Sequence, residues 1–441
     1  VWLPFIKKKS APENKRSIHP SELKIGMVVE LPVSWLRHPF WRSRFRIRDA
    51  SQIEKIMALN LPFLYQIMED TNNAGKLAEG QELTEYTQEI EETNTKTQEP
   101  TETVSTKSYR KAYKTKIPAT IHHRKIQATQ KKYDQTVTEV KRLIKGVLAF
   151  SEDAVGETEA IMKSMIEFLL QNPTSSLFLI NAKKKSEVLF HHAINVCILS
   201  LLIGKEFGLS AEELLFLGMG SIFHDIGKIR IPKAILLKDK PLSKTEKEFL
   251  KLHPQYGAEI AQRIKTFPEA SINIIYSHHE MLDGSGYPKG LKEDQIPTIV
   301  RIVTVANLYD NYCNPRNPEK ALTPHKALVH MSKKLASKID VKILAQFIKL
   351  LGIYPPGTIV QLNNGAVGIV VGKSPASPTE PLVMLYDPDE PPSRAPIISL
   401  WDEPDLKIEK SLRPADLPDD ILTYLNPPLR ITYMIEPIDR M

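Results

Sequence analysis

The chain has 441 residues, a mass of 50.0 kDa and a formal net charge of +7, from 59 Lys and Arg against 52 Asp and Glu. That length corresponds to about two to four domains of roughly 100–200 residues, and 42% hydrophobic residues are enough to build buried cores. The two cysteines, Cys197 and Cys313, exclude a disulfide scaffold and a thiolate-rich zinc site, and they fit a reducing, cytoplasmic compartment.

No uninterrupted apolar run reaches the length of about 18 residues that a membrane span needs, so no transmembrane segment is expected. Val1–Lys9 lacks the long apolar core of a secretory signal, so none is expected there. Residues 17–68 read as a small α/β module. Met27-Val28-Val29-Glu30-Leu31 reads as a strand after the Lys24-Ile25-Gly26 turn, and Arg44-Phe45-Arg46-Ile47-Arg48 alternates as a half-exposed strand does. Ser51–Leu59 reads as a short helix with Ser51 as its cap.

Residues 69–102 hold ten acidic and two basic side chains amid Thr, Gln and Asn, with no apolar period. Such a segment buries too little apolar surface to offset its ordering entropy, so 69–106 reads as an acidic disordered linker. Residues 103–133 then carry nine Lys and Arg and no acid. No aromatic residues interleave with these charges in a stacking pattern, so neither DNA nor RNA is an expected partner. The stretch 107–134 reads as a basic, solvated connector leading into a helix.

Residues 124–350 read almost wholly as helix, with no convincing strand between 137 and 350. Val137, Val140, Leu143, Ile144, Val147 and Leu148 keep a helical period, as do Ile161, Met165, Phe168 and Leu169. Ser210 with Glu213, and Ser243 with Glu246, have the spacing of a capping box. Residues 354–441 change to a small Pro-rich β module, in which Asn363-Asn364-Gly365 joins two strands as a hairpin and Leu382–Tyr386 supplies a third.

The chemistry gathers in the helical part. His192, the pair His224-Asp225, His253 and the pair His278-His279 offer imidazole and carboxylate donors, with no thiolate. Such a set suits Fe, Mn, Ni or Zn in an open site. Six donors are more than one open ion takes, so two ions are expected, with Asp225 as the shared carboxylate. On a helix Lys228 would share a face with His224 and Asp225 and place an ammonium beside them, where it can neutralise developing charge. The following loop, Asp283-Gly284-Ser285-Gly286-Tyr287-Pro288, sets a tight path that brings Tyr287 toward the histidines.

These motifs occur together and in a fixed order: His192-Ala193-Ile194-Asn195-Val196, His224-Asp225-Ile226-Gly227-Lys228, His253-Pro254-Gln255-Tyr256-Gly257, then His278-His279-Glu280 with Asp283–Pro288. Over residues 135–350 they resemble the HD-GYP domain, a branch of the HD phosphohydrolases. The 17–68 module, notably Met27 to Phe40, resembles the short domain of unknown function that often precedes it, and Tyr354–Tyr386 resembles its usual C-terminal extension. The resemblance implies a mainly α protein, with an all-helical HD-GYP domain flanked by a small N-terminal α/β module and a small C-terminal β module. It implies hydrolysis of the bacterial second messenger cyclic di-GMP to pGpG or GMP at a centre of two or three metal ions, commonly iron or manganese. His192, His224, Asp225, His253, His278 and His279 would be ligands. Asp225 and Lys228 would act in catalysis. Lys228, Gly286, Tyr287, Arg316 and Lys320 would contact substrate. Diguanylate cyclases or other signalling proteins are the partners it suggests; the oligomeric state stays open, although the helix before residue 150 could pair with a copy of itself as a homodimer.

The sequence departs from the family pattern at particular positions. Its Ala-Asp-x-x-Asp run is Ala306-Asn307-Leu308-Tyr309-Asp310, so the last ligand is Asn307, or Asp310 in its place. Its Asp-Arg-Pro-Tyr run is Pro315-Arg316-Asn317-Pro318. Ser186 replaces the usual Asp, and Val188 stands where a carboxylate would complete a third site, with Glu187 one residue off. These departures favour a binuclear centre. They also leave two other readings open: a degenerate domain that binds metal or nucleotide and signals by contact, and a hydrolase of another phosphoester.

Overall fold

Short strands need partners to bury even one face, and the strands of the N-terminal unit find them in one another. The computed structural model describes residues 15–32, 44–47, 49–59, 61–67, 113, 119–171, 175–181, 188–238, 240–373 and 380–437. Strands β1 (Lys15–Ile18), β2 (Val28–Glu30), β3 (Arg44–Arg46) and β4 (Leu64–Ile67) form an antiparallel sheet in the order β1-β4-β2-β3. Helix α1 (Ala50–Ala58) contributes Ile56 to a core with Ile18, Val29, Ile47 and Leu64. The cap of α1 is Asp49, which accepts from Gln52 N at 2.9 Å, rather than Ser51, which already lies inside the first turn. Strand β1 has one buried residue, Ile18, and so carries no period that sequence reading could register.

Phe40, residues 69–106, most of the connector before residue 119, and Ser186 and Glu187 lie outside the described residues.

The second unit begins with two helices, α2 (Ala119–Leu148) and α3 (Glu152–Gln171), followed by β5 (Ser175–Asn181). Helices α4 (Val188–Phe207), α5 (Ala211–Phe223), α6 (Lys233–Leu236), α7 (Lys244–Leu250), α8 (His253–Gln262) and α9 (Glu269–Ser277) follow. Then come α10 (Thr298–Cys313), α11 (Pro324–Lys334) and α12 (Val341–Leu351). Helix α4 is the hub. Every residue from Ala193 to Gly204 is buried, and it packs on α5, α10 and α12. By length and composition it passes for a membrane span, but 78% of that window is buried within the protein, as befits a helix apolar all round. The capping boxes form as read: Ser210 Oγ accepts from Glu213 N at 3.2 Å while Glu213 takes Ser210 N at 2.8 Å, and Ser243 does the same with Glu246.

The expectation that 137–350 contains no strand fails at β5. It pairs antiparallel with β11 (Ile431–Pro437), from Ser175 opposite Pro437 to Asn181 opposite Ile431. A short apolar run such as Leu177–Ile180 is compatible with helix or strand by periodicity alone, and its partner lies at the far end of the chain.

The C-terminal sheet runs β10-β6-β7-β8-β9, with β6 (Ile359–Leu362), β7 (Val367–Gly372), β8 (Leu382–Leu385), β9 (Ile397–Ser399) and β10 (Ile408–Leu412). The turn at Asn363-Asn364-Gly365 joins β6 to β7 as expected. Helix α13 (Asp419–Leu425) lays Ile421 and Leu425 on a core of Ile359, Ile369 and Ile397.

Candidate metal centre

Helix α5 ends at Phe223, directly before the His224-Asp225 pair. His224 is its C-cap, and Asp225 opens a 3-10 turn over Ile226–Arg230. The turn changes the expected geometry of Lys228. In a 3-10 turn residues three apart eclipse, so Lys228 Nζ ion-pairs with Asp225 Oδ2 in place of a shared α-helical face with His224. Gly227 lets this turn press on α8: a Cβ there would lie 2.0 Å from His253 O and 2.4 Å from Gly257 N. The two motif glycines thus bring Asp225 against the start of the helix that carries His253.

The imidazoles are oriented by a repeated device. Nδ1 of His224, His253 and His278 faces the carbonyl three residues back, Ser221 O at 2.7 Å, Leu250 O at 2.7 Å and Ile275 O at 2.8 Å. A carbonyl only accepts, so each Nδ1 carries the proton and each Nε2 is left as an acceptor aimed inward. His192 is held instead by a carboxylate, Asp310 Oδ2, at 2.5 Å from its Nδ1.

The Nε2 atoms converge on Asp225. Oδ2 lies 3.4 Å from both His192 Nε2 and His224 Nε2, whereas Oδ1 lies 3.2 Å from His253 Nε2 and 3.9 Å from His278 Nε2. His279 joins the second set, so two donor groups, His192-His224-Asp225 and Asp225-His253-His278-His279, share one carboxylate. Asp225 Oδ1 is buried with no hydrogen-bond partner, and His192 and His224 bring Nε2 atoms within 3.1 Å of one another. An unpaired buried carboxylate oxygen is costly in a dry core. A divalent cation resolves it, and the His/Asp donor set fits one.

Electrostatics agree. Burial alone would push the Asp225 carboxyl up, but Lys228 and the surrounding imidazoles hold it well below the usual carboxylate range. Burial lowers His224, and burial with mutual repulsion lowers His278 and His279, which keeps them neutral. His192 goes the other way: against burial, Asp225 and Asp310 raise it to about 9.

The remaining expected site residues divide. Tyr287 stacks on His279, with ring centroids 4.5 Å apart and planes at 18°, and Lys251 Nζ lies 5.8 Å from its ring. Gly286 serves packing: a Cβ would lie 2.4 Å from Met281 N and 2.6 Å from His279 O. Asp310 orients His192 through Oδ2, and its Oδ1 is engaged by Asn195 and Asn314. Asn307 is buried, and its Oδ1 accepts from Asn311 Nδ2 at 2.8 Å. Arg316 is exposed and donates to Ile235 O at 2.9 Å, and Lys320 is exposed at the end of a 3-10 turn, Pro318–Lys320.

Sequence reading passed over Glu280, Asn195 and Asn314 as working parts. Buried Glu280 accepts from Lys289 N at 2.7 Å and Leu291 N at 2.8 Å, which closes the Tyr287 loop. An acid directly after the His pair was its only signal. Asn195, three residues after His192, had the helical spacing to share its face.

Comparison with known proteins places this geometry. The chain is 29% identical over 238 residues to the cyclic di-GMP phosphodiesterase PA4108 of Pseudomonas aeruginosa, covering 54% of this chain and 56% of that protein. It is 38% identical over 149 residues to the cyclic di-GMP phosphodiesterase response regulator RpfG of Xanthomonas campestris, covering 34% and 39%. It is 31% identical over 171 residues to the 3'3'-cGAMP-specific phosphodiesterase 3 of Vibrio cholerae, covering 39% and 37%. The chain thus spans about half or less of the length of these curated relatives. Among solved structures it is similar to Bd1817, an HDG"Y"P protein of Bdellovibrio bacteriovorus, with a TM-score of 0.40 and 17% identity over 76% of this chain and 98% of that one. Family models match at residues 178–343 for the HD domain and 15–156 for a domain of unknown function (DUF3391). Residues 178–343 of this chain thus match the HD domain, and the matched region is preceded by one that matches that domain of unknown function.

Proposed function

We propose that this protein is a metal-dependent phosphodiesterase that hydrolyses cyclic di-GMP to pGpG, GMP or both. The observation that carries the reading is Asp225, whose two oxygens face two separate sets of imidazole Nε2 atoms. His192, His224 and Asp225 would hold one divalent ion, and Asp225, His253, His278 and His279 a second. By family resemblance the ions are iron or manganese, and the donors also admit zinc or nickel. Bound there, such ions supply Lewis acidity toward phosphate oxygens and make water a better nucleophile.

The chain's own residues do the rest. Lys228 keeps a positive charge at the rim of Asp225, where a phosphate oxygen gains from it. The Tyr287 phenol is raised further by burial and by Asp225, so it stays protonated and can donate to phosphate. Its ring, backed by His279, offers a face for a guanine. Arg316 and Lys320 are the exposed cations assigned to phosphate or base. Relatives named for cyclic di-GMP and for 3'3'-cGAMP both support a cyclic dinucleotide as the substrate class.

Asn307 favours a second reading, binding without turnover, because a neutral amide stands where the family pattern has a carboxylate. Protein purified anaerobically and loaded separately with Fe(II) or Mn(II) decides between them. The phosphodiesterase reading expects pGpG or GMP from cyclic di-GMP, faster than product from 3'3'-cGAMP, and none from Asp225→Ala. Two bound ions without product would establish the silent domain, and the next test would be whether Asn307→Asp restores turnover.

A further inference from the structure

The orientation of His192 is traceable beyond Asp310 to the far end of the chain. Asp310 Oδ2 meets His192 Nδ1 at 2.5 Å, and its Oδ1 accepts from the side-chain amides of Asn195 and Asn314, the latter at 2.8 Å. Each amide nitrogen has a second hydrogen, and both are directed to one atom of β11: Asn195 Nδ2 lies 3.2 Å and Asn314 Nδ2 2.7 Å from Ile431 O. The amide oxygens return the contact, Asn314 Oδ1 accepting from Ile431 N at 2.8 Å and Asn195 Oδ1 from Tyr433 N at 3.0 Å. Asn195 is on α4, three residues after His192, and Asn314 caps α10 just beyond Asp310. The two asparagines therefore pair the edge of β11 that β5 leaves open, and hold the carboxylate that holds His192.

We propose that β11 is a working part of the metal centre. By fixing Asp310 through Asn195 and Asn314, it sets the orientation of His192, so that ion binding at the His192 end and seating of the C-terminal strand depend on each other. Asn195 and Asn314 are positioning residues, acting through Asp310. The inference rests on the metal-dependent reading above and goes beyond it, because it makes the C-terminal extension a determinant of the site. Coupling of this kind is reciprocal: what the strand does for the ion, the ion does for the strand.

Calorimetric titration of the full chain with Mn(II) tests one direction. The parent takes up two ions. Asn314→Ala weakens one of them about tenfold or more, the usual effect of losing an outer partner of a ligating histidine, and leaves the other unchanged. Ile421→Val, in the core of the C-terminal sheet away from the clamp, changes neither. Unchanged affinities in Asn314→Ala, or an equal loss at both ions, would overturn the proposal while leaving the metal-dependent reading standing; a parent that binds no Mn(II) would take down both. Hydrogen exchange on the unsubstituted protein tests the other direction without risk of misfolding. Mn(II) should slow exchange at the amides of Ile431 and Tyr433 by about tenfold more than it slows that of Ile369 on β7. Slowing at Ile431 and Tyr433 no greater than at Ile369 would sink the coupling.

Discussion

At the scale of single residues, Asp225 and Gly227 illustrate two different kinds of necessity. Asp225 is needed for its charge and its two oxygens. Asp225→Ala should cost both ions and lower turnover by more than about a hundredfold, as loss of a central electrostatic group does, checked by metal analysis alongside product formation. Gly227 is needed for what it lacks. A Cβ 2.0 Å from His253 O meets backbone, not a flexible side chain, so Gly227→Ala should push the Asp225 turn off α8. A cost of about 1–3 kcal/mol, typical of overpacking, should appear as a lower unfolding midpoint together with reduced Mn(II) content. His325 is a third kind. It is buried against Ile353 O, 2.8 Å from Nδ1, and burial lowers its pKa to about 4. Its folded pKa lies below the unfolded value of about 6.5, so the neutral ring's contribution is complete above pH 6.5 and lost as pH falls through 4. At about 1.4 kcal/mol per pKa unit, the full loss is on the order of 3 kcal/mol. Urea unfolding at pH 7.5 and pH 4.5 should show His325→Gln losing much less stability on acidification than the parent. The histidines and Asp225 were legible in the sequence because their spacing is itself the motif. The contact of Asp310 with His192 was not, because it spans 118 residues, nor was the 3-10 turn that seats Lys228 on Asp225, because it depends on where the preceding helix ends.

At the scale of elements, local chemistry reads well and distant pairing does not. The capping boxes at Ser210 and Ser243 and the hairpin at Asn363-Asn364-Gly365 each involve residues within a few positions of one another, so the chain declares them directly. Helix α12 adds a cap of the same kind: Asp340 accepts from Lys342 N at 2.9 Å and Ile343 N at 3.3 Å while also pairing with Arg301 at 3.1 Å. Asp340→Ala should destabilise the protein by about 1–2 kcal/mol, the range for a lost N-cap, seen as a lower urea midpoint with an unchanged slope. Strands β5 and β11 are the counterexample. Each is a seven-residue segment whose only strand partner among the described residues is the other, and no local signal in either names that partner.

At the scale of the whole molecule, the metal centre is expected to act as a staple. Donors from α4, from the end of α5, from α8 and from the end of α9 converge on one carboxylate, so a ligand that binds only the folded arrangement stabilises all four at once. Mn(II) at a hundredfold excess over its Kd should raise unfolding free energy by about 2.7 kcal/mol per site. A chelator should lower the thermal midpoint correspondingly, and Asp225→Ala should show no dependence on Mn(II). By itself, the sequence determined the helical content of the second unit, the identity of the candidate ligands and the order of the motifs, because each is written in residues close together along the chain. The tertiary structure alone decided which Asp225 oxygen meets which imidazole, that Asp310 meets His192, and that the last strand closes against Asn195 and Asn314. Those outcomes depend on side chains brought together by burial of a shared core, and burial is a property of the folded whole that no single segment carries.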